Sequence, residues 1–471
     1  MNFKELVRRE PAYFIFFLVF IAREVILYSM GIVIAVNYNA MHIPDTFELV
    51  SNPFSALFYF HAQPPLLGLV FLAALKSGFP QTFLNISYSV LCFAMCLILL
   101  RMMNIFKAGR WFSLAAVTFF SITPPVIILQ HFSNHTFIEA FLITAFSWSI
   151  LEWLSDYRKV FLYLGFFFLM LLTLLRPYFH PFLLLPVILL MILFKSGQRK
   201  EILKAGLSFS IIPIALILKN LILFGIISTS SWTGLNLSRP IHYALGNDIL
   251  NELMKDGKLP FYANQEYFFF KPQDIIDSLA MPKTGIPILD NKYRKSGWIN
   301  YNNAAFIKAS KTLLKADLYV IRKYPLRILK SFFLGLYYYF MPARTFARWA
   351  LPNEDKLGSW NIIYRKYLCL EKNFCRYRGF ERVDYVIYIS IIMIYLLFFA
   401  VSLFKIAERD KRTLFWLLVS STVLYHIIFT NIFELGENTR FRFATEPIVF
   451  LVFAIFLFRM QDYIKRKLLR S

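Results

Sequence analysis

An all-α polytopic membrane protein is the fold class this sequence predicts, and three observations predict it. The 471 residues are 58% hydrophobic and 18% aromatic, with a mean hydropathy of +0.55, more apolar surface than a soluble chain of this length buries. Apolar runs recur from end to end, and a helix is the spanning form that satisfies its own backbone polar groups. The Lys and Arg residues behind the net charge of +23 gather in short loops between these runs. That is the pattern of cytoplasmic loops facing anionic lipid, and with no nucleic-acid motif beside it the charge calls for membrane lipids, not nucleic acid, as the partner.

The elements follow in order. A basic start, MNFKELVRRE, precedes an apolar run from Tyr13 to Val36, which places the N-terminus in the cytoplasm. The run is too long for a cleavable leader and has no small-residue cleavage site. Arg23 and Glu24 lie inside it, where ionisable groups need a partner or a wet cavity. A first outer loop, 37–80, carries His42, Asp45, Glu48, His61 and Gln63 among aromatics. Its segment 64–76 is short for a span and suits an interfacial helix. Spans are then expected near 82–103, 111–129, 137–154, 160–175, 181–194 and 206–225. His135 and Glu139 share a helix face if the fourth span begins that early.

Composition changes from 226 to 384, with many Asn, Asp, Gly, Pro and Tyr. This reads as one extracytoplasmic domain or long loop, with an amphipathic helix near 303–323 that stops before Pro325. Residues 326–346 could span or lie at the interface. Charge decides between these: if they do not span, the clusters at Lys405–Arg412 and Lys465–Arg470 both fall inside. The result is about ten spans, both termini cytoplasmic, and a chain divided into a transmembrane module 1–225, the outer segment 226–384 and C-terminal helices 385–471. Cys92 and Cys96 read as packing. Cys369 and Cys375 could form one disulfide in an outer loop or remain two thiols.

This topology puts acid, base and cation groups on one face. Asp45 is the candidate base for an acceptor hydroxyl, whose pKa lies far above 7. Its competing role is concrete, because Asp45-Thr-Phe-Glu48 has the spacing of a helix capping box. Arg176, Lys219, Arg440 and Arg442 are candidates to hold the phosphate of a departing lipid carrier, against snorkelling to headgroups. Arg440 and Arg442 point the same way if the backbone there is extended. His61, Gln63, His135, Glu139, Trp232, Asn236 and Arg239 complete the face as candidate substrate-binding groups. His42, His61, His131 and His135 could bind a divalent metal, but no ligand pair followed by a carboxylate stands out, so no metal site and no cofactor is assigned.

The segments IPDTFEL, His61-Ala-Gln-Pro64-Pro65-Leu66, Lys219–Arg239 and Gly436–Pro447 together resemble the GT-C superfamily of glycosyltransferases. The protein mannosyltransferase and aminoarabinose transferase-like group is the nearest in pattern. The resemblance implies a GT-C helix bundle with juxtamembrane helices after the first span, in a bacterial plasma (inner) membrane. It implies a polyprenyl-phosphate-linked sugar as donor and a lipid, polysaccharide or protein acceptor at the outer face, with transfer by inverting displacement. Asp45 matches the family's catalytic acid, Glu48 its second acidic residue, His61 and Pro64-Pro65 the juxtamembrane motif, and Arg440 and Arg442 the basic positions before the last span. Two rivals stand beside this enzyme: an O-antigen-type polysaccharide polymerase or ligase, and a flippase or transporter of lipid-linked sugars. The first would need catalytic Arg and His in the large outer loop, the second repeats and charges through the bundle.

Overall fold

A computed structural model describes residues 10–263, 272–341, 351–378, 381–410 and 412–468, with the backbone alone for 351–352 and 371–388. Among the described residues seven helices are long and apolar enough to cross a membrane: Pro11–Ser29, Pro80–Ile105, His135–Asp156, Ser196–Phe224, Ile389–Ala407, Thr413–Phe433 and Asn438–Leu468. An eighth span is formed if Arg110–Ser121 and Pro124–Gln130, bent by 57°, cross as one. The bend falls where Pro124 and Pro125 interrupt the run. The chain is a multi-pass integral membrane protein.

The sequence suggests about ten spans, and the difference lies in two helices. Lys159–Leu175 has 17 residues, and Leu184–Phe194 has 11, preceded by a single 3-10 turn at Pro181–Leu183. At 1.5 Å per residue these reach about 25 Å and about 16 Å, short of a hydrocarbon core of about 30 Å. The first run also ends earlier than its hydropathy suggests. Its helix stops at Ser29, where Gly31 takes a positive φ of 70°. The β-branched stretch after it runs extended instead: Ile34 N–H donates to Asn85 Oδ1 at 2.8 Å, and Ala35 N–H to the His131 carbonyl at 3.2 Å. The segment expected at the interface forms the short apolar helix Leu66–Lys76. Of residues 326–346, positions 326–339 lie in the helix Pro325–Tyr339, 15 residues long and too short by itself to span, and 342–346 lie outside the described residues.

The 226–384 segment builds its own helices and core. Ala305–Lys323 is amphipathic and ends before Pro325, with Leu313, Ala316 and Val320 buried. It packs against Thr233–Leu245 so closely that a Cβ on Gly234 would stand 2.0 Å from the Ser310 carbonyl oxygen. Trp232, Leu235, Leu250 and Phe306 share this second core with Phe60 and Ala62 of the first loop. A two-stranded antiparallel ribbon, Glu371–Arg378 with Glu381–Tyr388, departs from the all-helical expectation. Cys369 is buried; the Cys375 side chain, and with it the suggested disulfide, lies outside the described residues.

The two ends of the bundle differ chemically. At one, basic side chains tie off helix ends: Arg101 and Arg158 on Glu152, Arg412 on the Ile105 carbonyl, Arg459 on the Phe106 carbonyl. At the other, the loops 30–65, 131–135, 176–180, 226–232, 289–304 and 434–442 meet.

Candidate functional site

The site is built where five segments converge. Asn134 caps the His135–Asp156 helix, its Oδ1 accepting from His135 N–H at 2.6 Å. The helix therefore starts at His135, and His135 and Glu139 do share a buried face. Arg176 sits at the end of Lys159–Leu175 and its Nε pairs with Glu139 Oε2 at 2.8 Å. The other Glu139 oxygen takes Tyr178 Oη–H and faces His426 Nε2 at 3.0 Å. Glu139 and His426 are fully buried. A carboxylate at this depth is sustained only by such partners.

Arg176 and Arg440 flank one ring. Their guanidinium carbons lie 4.7 Å and 5.0 Å from the centroid of Phe441. Arg440 pairs with Glu437 at 2.8 Å. The imidazole of His42, three residues before Asp45, meets that of His135 edge to face at 4.5 Å between centroids. Burial holds His42 well below its ordinary range, and Arg440, Arg176, Arg239 and Arg294 all push the same way. His42 is therefore neutral at neutral pH, inside the field of four arginines. Four sealed nitrogens here have no partner among the described residues: Arg176 Nη2, Arg440 Nε, His42 Nδ1 and His135 Nε2. Buried polar atoms are nearly always satisfied; the two arginine nitrogens are donors and each imidazole nitrogen is one in the matching tautomer, so the cluster can receive a ligand that accepts hydrogen bonds.

Asp45 lies beside this cluster and serves as a cap. Its Oδ1 accepts from Phe47 N–H at 3.0 Å, and its Oδ2 from Lys295 N–H at 2.8 Å. Asp45 is thus an N-cap, but its bond goes to Phe47 and no reciprocal Glu48 bond closes a capping box among the described residues; Asp45 also tethers the outer segment. The same junction is held by Arg294, whose guanidinium donates to the carbonyls of Tyr38, Ala40 and Ile43. Burial pulls Arg294 down to about 10, with Asp45 opposing. One lone pair on each Asp45 oxygen stays uncommitted. Glu48 is partly buried in the first helical turn.

Several candidates are placed elsewhere. Arg442 does not share a direction with Arg440. The segment Asn438–Arg442 is helical, not extended, so residues two apart point to different sides. Arg442 Nε pairs with Glu446 at 2.7 Å, and its Nη1 donates to the carbonyls of Tyr339 and Met341. Lys219 Nζ closes on the Phe58 carbonyl at 2.8 Å and the Phe60 carbonyl at 3.3 Å, which commits two of its three hydrogens to the backbone. His61 is locked in the junction. Its Nε2 must carry the proton, because it faces the Asn302 carbonyl at 2.8 Å, and its Nδ1 then accepts from Ser231 Oγ–H at 2.7 Å. Burial pulls it to about 3. Trp232 stacks on Phe306 in the second core. Gln63 is buried near His61 and Asn236 half-buried on the Thr233–Leu245 helix. Arg239 reaches Glu434 at 2.8 Å; burial pushes the Glu434 carboxyl up and Arg239 pulls it back. Among the described residues no three His, Cys, Asp or Glu side chains form a metal-holding group.

Tyr178 and His426 belong to the site and are not evident from spacing alone. The available signal for His426 is a histidine inside an otherwise apolar span, Leu424-Tyr-His-Ile-Ile. No family model matches the chain, and no curated protein is significantly similar to it.

Proposed function

We propose that this protein is an integral-membrane glycosyltransferase that moves a sugar from a polyprenyl-phosphate carrier to an acceptor hydroxyl. One observation carries the reading: buried, unpartnered nitrogens of Arg176, Arg440, His42 and His135 gather beside the Asp45 loop. Such a set matches the oxygens of a phosphate, where charge develops as the sugar leaves. The acceptor oxygen attacks the anomeric carbon and the carbon–oxygen bond to the carrier phosphate breaks with inversion. The acceptor proton passes to an uncommitted lone pair of Asp45. Arg176 and Arg440 hold the departing phosphate, with the neutral imidazoles able to donate N–H to it. The reaction face is the loop-bearing end of the bundle, outside the cell, and the GT-C arrangement is the fold that accommodates it. Arg442, Lys219, His61 and Trp232 shape the junction without touching substrate.

The test is single-turnover transfer by purified protein in proteoliposomes, with a labelled polyprenyl-phosphate monosaccharide. Arg440→Gln is expected to lower kcat about 100-fold or more, as loss of an electrostatic transition-state contact does. Asp45→Asn is expected to abolish turnover in protein that still elutes as one folded species. Unchanged turnover in both variants removes this assignment. Consumption only of a diphosphate-linked oligosaccharide supports the polymerase or ligase instead, and carrier movement across the bilayer without sugar transfer supports the flippase.

A further inference from the structure

A second feature lies outside the cluster just described. Where the Arg199–Phe224 helix ends, it meets the outer segment around a cavity of about 960 Å³, within the usual size of ligand sites. Four lysines line it, Lys258, Lys308, Lys311 and Lys315, and among the described residues no Asp or Glu does. Three of them follow from sequence. Positions 308, 311 and 315 fall on one stripe of the Ala305–Lys323 helix. The fourth enters from the turn at Gly257, which has a positive φ of 66°.

Lys311 is partly committed, its Nζ reaching the Phe224 carbonyl at 2.8 Å. Lys258 lies 5.9 Å from the Tyr319 ring centroid. Lys308 and Lys315 make no ion pair among the described residues and are exposed. Like charges gathered without counter-charge repel one another, and an anion among them relieves this. The rest of the wall is apolar, with Leu223, Phe224, Leu259, Leu289 and Ile307. The wall continues into the exposed apolar side of the spanning helix, where Ile222 is 80% exposed. A cationic rim over an apolar wall that leads onto a span matches one ligand class: a phosphate headgroup joined to a hydrocarbon tail.

We propose that this cavity binds the head of a phosphate-bearing lipid, with Lys258, Lys308 and Lys315 around the phosphate and the first tail carbons against Leu223 and Phe224. The site is joined to the Asp45 junction through one stretch of chain. Leu289 and Ala304 line the cavity, and between them Lys295 N–H holds Asp45 and Asn302 holds His61. Lipid binding here does not depend on the transfer reaction.

The experiment is native mass spectrometry of the full-length protein in detergent, titrated with dioleoyl phosphatidic acid, dioleoyl phosphatidylcholine or inorganic phosphate. The native protein is expected to retain phosphatidic acid in preference to phosphatidylcholine. Lys308→Gln/Lys315→Gln is expected to weaken that retention roughly tenfold or more, the loss of two lysine–phosphate contacts. Lys308→Arg/Lys315→Arg is expected to keep it, and Lys465→Gln/Lys467→Gln, which removes the same charge from the far end of the chain, to leave it unchanged. Equal retention of both lipids, or equal losses in the two glutamine pairs, overturns the site. Complete displacement of the lipid by millimolar inorganic phosphate overturns the lipid assignment in favour of a soluble anion.

Discussion

Arg440 and Arg442 stand two residues apart and do opposite work. Arg442 is buried on Glu446 and two carbonyls, so Arg442→Gln strips a buried pair and is expected to cost about 3 kcal/mol of stability. Arg440 is buried too and pairs with Glu437, so Arg440→Gln is expected to lower transfer and also the thermal midpoint, but by less than Arg442→Gln, which in addition strands two carbonyls; transfer assays beside thermal unfolding of the two variants in detergent separate them. The pair could not be told apart in the sequence, because alternation means a shared face only in extended backbone. Glu139 and His135 were legible for the converse reason, a helix starting at a capping Asn. His61 carries a pH signature. Its folded value of about 3 lies below the ordinary 6.5, so the folded state binds fewer protons than the unfolded state between these values. Its contribution is whole above about pH 6.5 and is lost as pH falls toward 3. The thermal midpoint is expected to fall on acidification from pH 7 to 4, and to fall less steeply in His61→Gln, where the titrating ring is gone. Equal slopes in the two proteins would show that the His61 lock does not titrate.

At the scale of elements, the outer segment rests on one close helix contact. Gly234 N–H donates to Ser310 Oγ at 3.0 Å, and the Gly234 Cα faces the backbone of the Ala305–Lys323 helix, a neighbour that cannot swing aside. A methyl group there forces the two helices apart. Gly234→Ala is expected to destabilise by about 3 kcal/mol, the upper part of the range for overpacking, read as a lower thermal midpoint and faster proteolysis of the 226–340 region. Gly285→Ala is the comparison: it meets nothing within 4 Å, and its φ of 77° makes it strained by conformation alone. Long apolar helices such as Pro80–Ile105 and Thr413–Phe433 were legible from hydropathy because each is continuous and holds no proline after its first residue. The bent span and the early end of the first helix were not. Hydropathy averages over a window and cannot see that Gly31 redirects the chain or that Pro124–Pro125 turns it.

Across the whole molecule the ionisable groups separate by kind. The Glu152, Ile105 and Phe106 end gathers arginines that tie off helices, whereas the loop-bearing end holds the histidine pair His42–His135 and the four sealed nitrogens. Two distant polar networks bridge the bundle between them, Arg23–Glu24 with Ser89, Ser121 and Gln130, and Glu139 with Arg176, Tyr178 and His426. The positive-inside rule weighs the short basic loops, not the long outer segment, and on it we propose that the arginine-tied end faces the cytoplasm. That gives opposite exposure to two positions with similar local polarity. In a variant with Cys369 and Cys375 replaced by Ser, a membrane-impermeant maleimide added to intact cells is expected to label Lys308→Cys and spare Arg409→Cys, and detergent is expected to make both reactive. Labelling of Arg409→Cys in intact cells with Lys308→Cys protected would invert the bundle. It would put the Asp45 junction and the lysine-lined cavity on the cytoplasmic side, where a soluble sugar donor would compete with a lipid-linked one.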